Sequence, residues 1–469
     1  MIERELPEGW IDVQLRDVAE VVSGIGFPNS YQGSLDKDIP FFKVGDISKA
    51  HLRSEQFLTE ANNYIDEQDL KKLKGRKLPK GTVVFAKIGE ALKLNRRAIL
   101  SEPSLVDNNV MGVSPILEEQ SKFLYFFLLT QELAQFSAGN AVPSVRKGSV
   151  EELLLPLPPF AEQKRIVAKL DKAFQHLDTL KARLERILEL LKSFRQSILT
   201  QAVTGKLTED WRDSQELADW KFEKAQDCCS KVQSGGTPKP DGFDDSGVPF
   251  LKVYNIVNQK IDFNYKPQFV KPDIHSSKLK KSIAFPGDVL MNIVGPPLGK
   301  IAILPDEHEE WNHNQAITLF RTKKYLLNKY LYFYFCEGVV IRDIHKETRG
   351  MVGQVNISLS QCRNFEIPIP PLAEQKEIVK RVETLFAKAD AIKGYYIKLK
   401  EKIDKLPQAL LAKAFRGELV PQDPNDEPAS LLLEKIKAVK AATSKPSKGK
   451  KNISKTFKHE DQKPLDFKV

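Results

Sequence analysis

The sequence predicts two tandem segments of mixed α/β (α+β) structure, each followed by a long helix, with the two helices paired as an antiparallel coiled coil. Three observations predict this: a nonapeptide that occurs twice, heptad-spaced apolar residues behind each copy, and short β-type runs that recur in the intervening segments. Pro156-Leu157-Pro158-Pro159-Phe160-Ala161-Glu162-Gln163-Lys164 returns as Pro368-Ile369-Pro370-Pro371-Leu372-Ala373-Glu374-Gln375-Lys376. The register then holds without insertion. Phe174 answers Phe386, Asp178 answers Asp390, and Gly205-Lys206-Leu207 answers Gly417-Glu418-Leu419.

Residues 1–155 form the first segment. It opens on Gly9-Trp10 and an apolar alternation through Val13, Leu15, Val18 and Val21. Pro40–Val44, Gly81–Gly89 and Ala98–Leu100 read as strands bounded by turn residues, and the dense apolar run Phe123–Leu129 reads as a buried helix. Residues 211–367 echo this pattern. Trp220 takes the place of Trp10, Pro249–Val253 that of Pro40–Val44, Gly287–Gly295 that of Gly81–Gly89, and Tyr330–Phe335 that of the aromatic run. The residues between the framework strands differ freely, as two readers of different targets would require.

Residues 156–210 and 368–420 are the two helices. Pro-Pro followed by Glu-Gln is a helix start, because proline suits the first helical position and negative charge suits the N-terminus. Behind the first start, Ile166, Leu170, Leu177, Leu180, Leu184, Ile187 and Leu191 mark two heptad series; behind the second, Ile378, Leu385, Ile392, Tyr396, Leu399 and Ile403 do the same. A helix of about 40 residues spans roughly 60 Å. Gly205 and Gly417 are stops, and Pro407 is expected to kink the second helix near its end. Residues 421–442 should hold a short helix through Leu431, Leu432, Ile436 and Val439. In residues 443–469 Lys, Ser, Pro and Gly dominate, and disorder is expected.

Composition excludes several function classes. The chain is 41% hydrophobic and 29% charged, has no bilayer-length apolar run, and lacks a signal-peptide pattern at its start. None of the four cysteines forms a CxxC pair, so neither zinc nor disulfides are expected and a reduced, cytoplasmic protein is. The formal charge of +10 favours a polyanionic partner. Gly295–Lys300 is one residue short of a phosphate-binding loop, and Ile301 replaces the hydroxyl residue that would hold magnesium. No GxGxxG follows a strand, and no Asn/Asp-Pro-Pro-aromatic tetrapeptide marks an adenine methyltransferase. His308 and His313, without an HExxH, read as surface histidines. The pattern is that of a binder whose chemistry lies elsewhere.

Two variable segments alternating with two PxPPxxEQ helices that close on Gly-x-Leu resemble the specificity subunit of type I restriction–modification systems, over all of the chain except its Lys-rich end. The resemblance implies that each segment is a target-recognition domain reading one half of a split, asymmetric sequence in double-stranded DNA. It implies helices that set the gap between half-sites and dock two modification (methyltransferase) subunits, with ATP-dependent restriction subunits joining the assembly. No cofactor is then expected on this chain; S-adenosylmethionine, ATP and magnesium belong to the partners. A stand-alone methyltransferase or nuclease with divergent motifs, and a coiled-coil scaffold without a DNA role, are the alternatives. Base-edge readout needs polar side chains on turns at strand ends, and phosphate contacts need cations there. In the first segment these are Lys43, Lys87, Lys93, Arg96, Arg97, Arg146 and Lys147; in the second, Lys252, Asn292, Lys300, Arg349 and Gln354. The glycine turns Gly24-Ile25-Gly26 and Gly235-Gly236-Thr237 could let backbone approach DNA, or be ordinary turns.

Overall fold

The structure, a computed structural model, describes residues 6–137, 143–347 and 356–443. They fold as two compact units. One takes the chain up to Lys181 and again from Glu401; the other is Ala182–Lys400. Arg349 and Gln354, and the tail from residue 444, lie outside the described residues.

In the first unit the strands are β1 (Ile11–Gln14), β2 (Ala19–Ser23), β3 (Ile39–Phe42), β4 (Phe57–Leu58), β5 (Tyr64–Ile65), β6 (Val83–Ala86), β7 (Arg97–Leu100), β8 (Leu105–Val106), β9 (Val110–Pro115) and β10 (Leu154–Leu157). Its main helices are α1 (Val44–Leu52), α2 (Ser121–Thr130) and α3 (Lys147–Glu151). A five-stranded sheet has the order β2-β9-β6-β7-β4, and a three-stranded sheet the order β5-β3-β8. β6 reads Val-Val-Phe-Ala because it is buried along its whole length. On one side Val83 and Phe85 share a core with Phe123, Phe126 and Phe127 of α2. On the other, Val84 packs with Phe42 of β3 and Ile47 of α1.

The long helix α4 (Phe160–Val203) leads into the second unit, where the plan returns. The strands are β11 (Lys221–Lys224), β12 (Cys229–Ser234), β13 (Phe243–Asp244), β14 (Val248–Leu251), β15 (Ile256–Val257), β16 (Lys260–Ile261), β17 (Phe269–Val270), β18 (Val289–Asn292), β19 (Ile301–Ile303), β20 (Asn312–His313), β21 (Ile317–Thr322) and β22 (Glu366–Ile369). They form the sheets β12-β21-β18-β19 and β13-β17-β14-β20, with β15-β16 as a separate hairpin. Helix α5 (Asn328–Glu337) buries Tyr330, Leu331 and Phe335, as α2 buries its aromatics. Helices α6 (Leu359–Asn364), α7 (Leu372–Ala414) and α8 (Ala429–Thr443) follow, and α8 belongs to the first unit.

The twice-occurring motif closes each segment on itself. β10 pairs antiparallel with β1, and β22 with β11, so the first and last strands of each segment meet at a helix start. Pro156 and Pro368 are tolerated because these ladders have only two strands. There the Trp10 indole donates to Glu162 Oε2 at 2.9 Å, and Trp220 donates to Glu374 Oε2 at the same distance. The neighbouring glutamines bind back to the prolines: Gln163 donates to the Pro158 carbonyl (3.0 Å) and Gln375 to that of Pro370 (2.8 Å). Both carboxylates and both amides are buried. Glu374 also accepts from Thr208 (3.0 Å) and pairs with Arg212, both on the segment that follows α4. In the first unit Arg165 instead pairs with Asp426, on the segment that follows α7.

The helices end where glycine permits, with Gly205 at φ +80° and Gly417 at φ +74°. α7 runs on through Pro407 to Ala414. In the second unit the helix portions run antiparallel: Arg195 meets Asp390 at 2.6 Å, while Arg381 donates to the Leu207 carbonyl at 2.8 Å. In the first, Ile166 and Leu170 share a core with Leu411 and Ala414. The two heptad series are not equally buried, which corrects the expectation of a full two-series seam. Ile166, Leu170, Leu177, Leu184, Ile378, Tyr396 and Ile403 are buried; Ile187, Leu191 and Leu385 are half-buried; Leu180, Ile392 and Leu399 are exposed. Near its ends each helix is covered by sheet-bearing structure, where Ile166, Leu170, Ile198 and Ile378 join the domain cores. The predicted short C-terminal helix is α8. It buries Leu432 and Ile436 in the core of the first unit and bonds the Ala429 amide to the Gly9 carbonyl (2.9 Å). No described helix is long and apolar enough to cross a membrane.

Glu374→Ala would leave an indole, a hydroxyl and a guanidinium without their shared acceptor. We expect it to lower the stability of the second unit by about 2–4 kcal/mol, read as an earlier chemical-denaturation transition, with the first unit unchanged. A shift below about 0.5 kcal/mol would mean the clamp is ornamental.

Candidate nucleic-acid interface

One end of each unit's sheets gathers the turns that the sequence singles out. β3 and β8 run parallel and end together at Phe42 and Val106. In the neighbouring sheet Ser23 pairs with Met111, Ala86 with Val110, and Phe85 with Arg97, which brings the turns after β2 and β6 to the same end. The second unit does likewise with Leu251 opposite His313, Ser234 opposite Thr318, Asn292 opposite Ile317, and Met291 opposite Ile301.

Five backbone hydrogen bonds hold this end together, and each has its counterpart in the other unit. Gly24 donates to Val110 O and Gly235 to Ile317 O, both at 3.0 Å. Ile25 donates to Val106 O (3.0 Å), as Gly236 does to His313 O (3.1 Å). Asp107 donates to Phe42 O and Asn314 to Leu251 O, both at 3.0 Å. Lys87 donates to Asn109 O, and Ile293 to Ala316 O, both at 2.8 Å. Val145 donates to Lys87 O, and Ile357 to Ile293 O, both at 2.9 Å. The backbone frame is thus the same, while the side chains it carries are not: where the first unit has Asp107, Lys87 and Val106, the second has Asn314, Ile293 and His313.

The first glycine of each turn packs against the protein's own backbone. A Cβ on Gly24 would lie 1.9 Å from the Asp107 carbonyl oxygen, and one on Gly235 would lie 2.0 Å from that of His313. Neither contact is sterically possible for any other residue. Close packing between turns therefore requires glycine at both positions.

Of the basic candidates, Lys43 and Lys252 occupy the same place. Each leaves the end of a buried strand, and its amide donates to the side chain three residues on, Asp46 (2.7 Å) and Asn255 (3.0 Å). Each ammonium lies over an aromatic ring, Lys43 at 5.7 Å from Phe27 and Lys252 at 5.6 Å from Phe243. Lys87 and Arg96 are half-buried at the same end as Lys43, and Lys93 is exposed, paired with Glu90 at 2.8 Å. Arg146 and Lys147 are exposed, following directly on the Val145 bond to Lys87. Lys300 donates to the Val253 carbonyl at 3.4 Å, beside Lys252.

Two candidates are displaced from the surface. Arg97 is 2% exposed, stacked 4.9 Å from Phe85, with its guanidinium donating to the Arg96 and Gln131 carbonyls (2.9 and 3.2 Å). Burial pulls its pKa down to about 9. Asn292 is wholly buried and spends its amide on its own loop, donating to Pro297 O (2.9 Å) and accepting from the Lys300 amide (2.6 Å). Both are corrections to the surface roles expected of them. A third concerns His313, which is no surface histidine: it is wholly buried on β20, and His308 is half-buried against Trp311. Beyond Lys252, Tyr254 and Tyr265 lie with ring centroids 5.8 Å apart and the Lys266 ammonium is 5.2 Å from the Tyr265 ring, a cation-aromatic alternation visible in the sequence.

The two units are thus two copies of one backbone frame carrying unlike side chains. The family model described as type I restriction modification DNA specificity domain matches the chain twice, at residues 7–189 and 218–401. The chain belongs to that family, as a specificity subunit and not as a catalyst in its own right. It is 29% identical to the type I restriction enzyme EcoBI specificity subunit of Escherichia coli, over 96% of this chain and 95% of the relative. The EcoKI specificity subunit of Escherichia coli strain K12 is 28% identical, over 94% and 97%. The fold is similar to that of the HsdS subunit from Thermoanaerobacter tengcongensis, with a TM-score of 0.58 at 20% identity over 89% and 99% of the two chains. A chain from a type I R-M system assembly gives 0.64 at 20% identity, over 88% and 100%.

The buried His313 makes a pH prediction. Burial depresses its pKa from 6.5 to about 4, so the folded unit takes up the proton less readily than the unfolded chain. Its contribution is complete above about pH 6.5 and is lost as pH falls toward about 4. The second unit should therefore weaken across that window, by up to roughly 3 kcal/mol. His313→Val, which installs the residue found at Val106, should flatten this limb in pH-dependent denaturation; an unchanged limb would contradict it.

Proposed function

We propose that this chain reads a bipartite, asymmetric sequence in double-stranded DNA, one half-site per recognition domain. The observation that carries the reading is the repeated frame at the sheet ends, with lysines at matching places and other side chains exchanged. Lysines at strand-end turns supply phosphate contacts that fix register, and the divergent neighbours supply base readout. Because the Trp–Glu clamp joins each domain to a helix start, the helices would act as the spacer that sets the distance between half-sites.

Two modification subunits would dock on the helices. The uncovered apolar residues Leu180, Leu188, Phe194, Ile392 and Leu399 support this, since side chains of that size are exposed in numbers mainly where a partner covers them. Those partners would bind S-adenosylmethionine and methylate adenine, and restriction subunits using ATP and magnesium would join the same assembly. This chain would hold none of these cofactors.

Exchanging residues 1–155 for the corresponding segment of another family member should alter one half of the methylated motif and leave the other intact. Change in both halves would defeat the idea of independent readers. Inserting one helical turn into both long helices should widen the gap by about one to two base pairs without altering the bases read. A motif whose gap stayed fixed in methylation mapping would rule out the spacer role.

A further inference from the structure

The two units part company directly after the matching lysines. Lys43 leads into α1, whereas Lys252 leads into a single tight turn and the β15–β16 hairpin, reversed at Asn258 and Gln259 with φ of +49° and +60°. Asn255, wholly buried, stitches the following loop back against that turn. Its amide donates to the carbonyls of Asp262 (3.1 Å) and Tyr265 (2.9 Å). Tyr254 and Tyr265 are thereby set edge to face with ring centroids 5.8 Å apart, and the Tyr254 hydroxyl donates to the Lys266 carbonyl at 3.3 Å. Lys266 itself sits at φ +51°, with its ammonium 5.2 Å from the Tyr265 ring.

This arrangement has no evident use within the fold. Tyr265 keeps 50% of its surface exposed, so little apolar burial offsets the fixing of its ring, and a left-handed lysine is costly. A pre-set, half-exposed aromatic ring flanked by cations, beside Lys252 and Lys300, suits a polyanion that presents phosphates next to apolar sugar and base edges.

We propose that the Tyr254–Tyr265 pair and Lys266 form a duplex-DNA contact that belongs to the second recognition domain alone, with Tyr265 packing against a sugar or base edge and Lys266 on a phosphate. The first domain meets its half-site with α1 instead, so the insert after the shared lysine is where the two readers acquire different preferences. This inference rests on the DNA-reading function proposed above.

The test uses the full chain purified with its methyltransferase subunits, duplexes carrying the mapped target, and binding measured across a salt series. Tyr265→Ala should weaken binding about tenfold with the salt slope unchanged, and Tyr265→Phe should keep wild-type affinity. Lys266→Ala should lower the salt slope by about one. Methylation mapping of Tyr265→Ala should show relaxed preference in one half-site only. Unchanged affinity, slope and motif in both alanine variants would overturn the proposal. So would loosened methyltransferase binding with DNA affinity intact, which would make the patch a protein contact. If the wild-type complex bound no split target, the DNA-reading function itself would fail, an outcome separable from both.

Discussion

Two buried carboxylates anchor the molecule. Glu162 and Glu374 stand in the first turn of the long helices, where the helix N-terminus favours a negative charge, and each accepts the indole N–H of a tryptophan from the opening of a recognition domain. An unpaired carboxylate could not persist at such depth. The Trp10 indole on Glu162, and Trp220, Thr208 and Arg212 on Glu374, supply the partners that let each helix start be buried beside the closing strands. Burial raises the Glu162 carboxyl pKa even against the pull of the Trp10 bond. From this contact follow the closure of each segment on itself and the fixed exit direction of each helix.

Closure has an evolutionary consequence. When the first and last strands of a domain pair with each other at a helix start, everything between them can vary without disturbing the attachment. The five matched backbone bonds show how variation is confined. They keep the strand-end turns in place, using glycine where two turns nearly touch, and leave side-chain identity open. Asp107 in one unit where the other has Asn314, and α1 in one where the other has the β15–β16 hairpin, show that freedom used in a single chain.

Much of this was legible in the sequence because local chemistry fixed it. Pro-Pro-x-x-Glu-Gln marked both helix starts, Gly205 and Gly417 marked both stops, and the runs at Val83–Ala86 and Val289–Asn292 could only be buried strands. The failures share one cause, which is that burial of a polar or apolar side chain depends on distant partners. Arg97 reads as a surface cation until Phe85 and the Gln131 carbonyl are seen to enclose it. His313 reads as a scattered histidine until β14 and Gly235 close over it. Heptad spacing declared Leu180, Ile392 and Leu399 apolar seam positions, but spacing cannot say whether anything covers them. The half-exposed setting of Tyr265 likewise depends on a partner distant in sequence, since the Asn255 amide holds the Asp262 and Tyr265 carbonyls.

Genome-wide mapping of adenine methylation in the host, with and without this chain, tests the reading of a split target most directly. Loss of a single two-part motif on removal of the chain is the predicted result, and its two halves would give the bases read by each domain. A methylation pattern unchanged by removal, in cells shown to express the methyltransferase subunits, would contradict it.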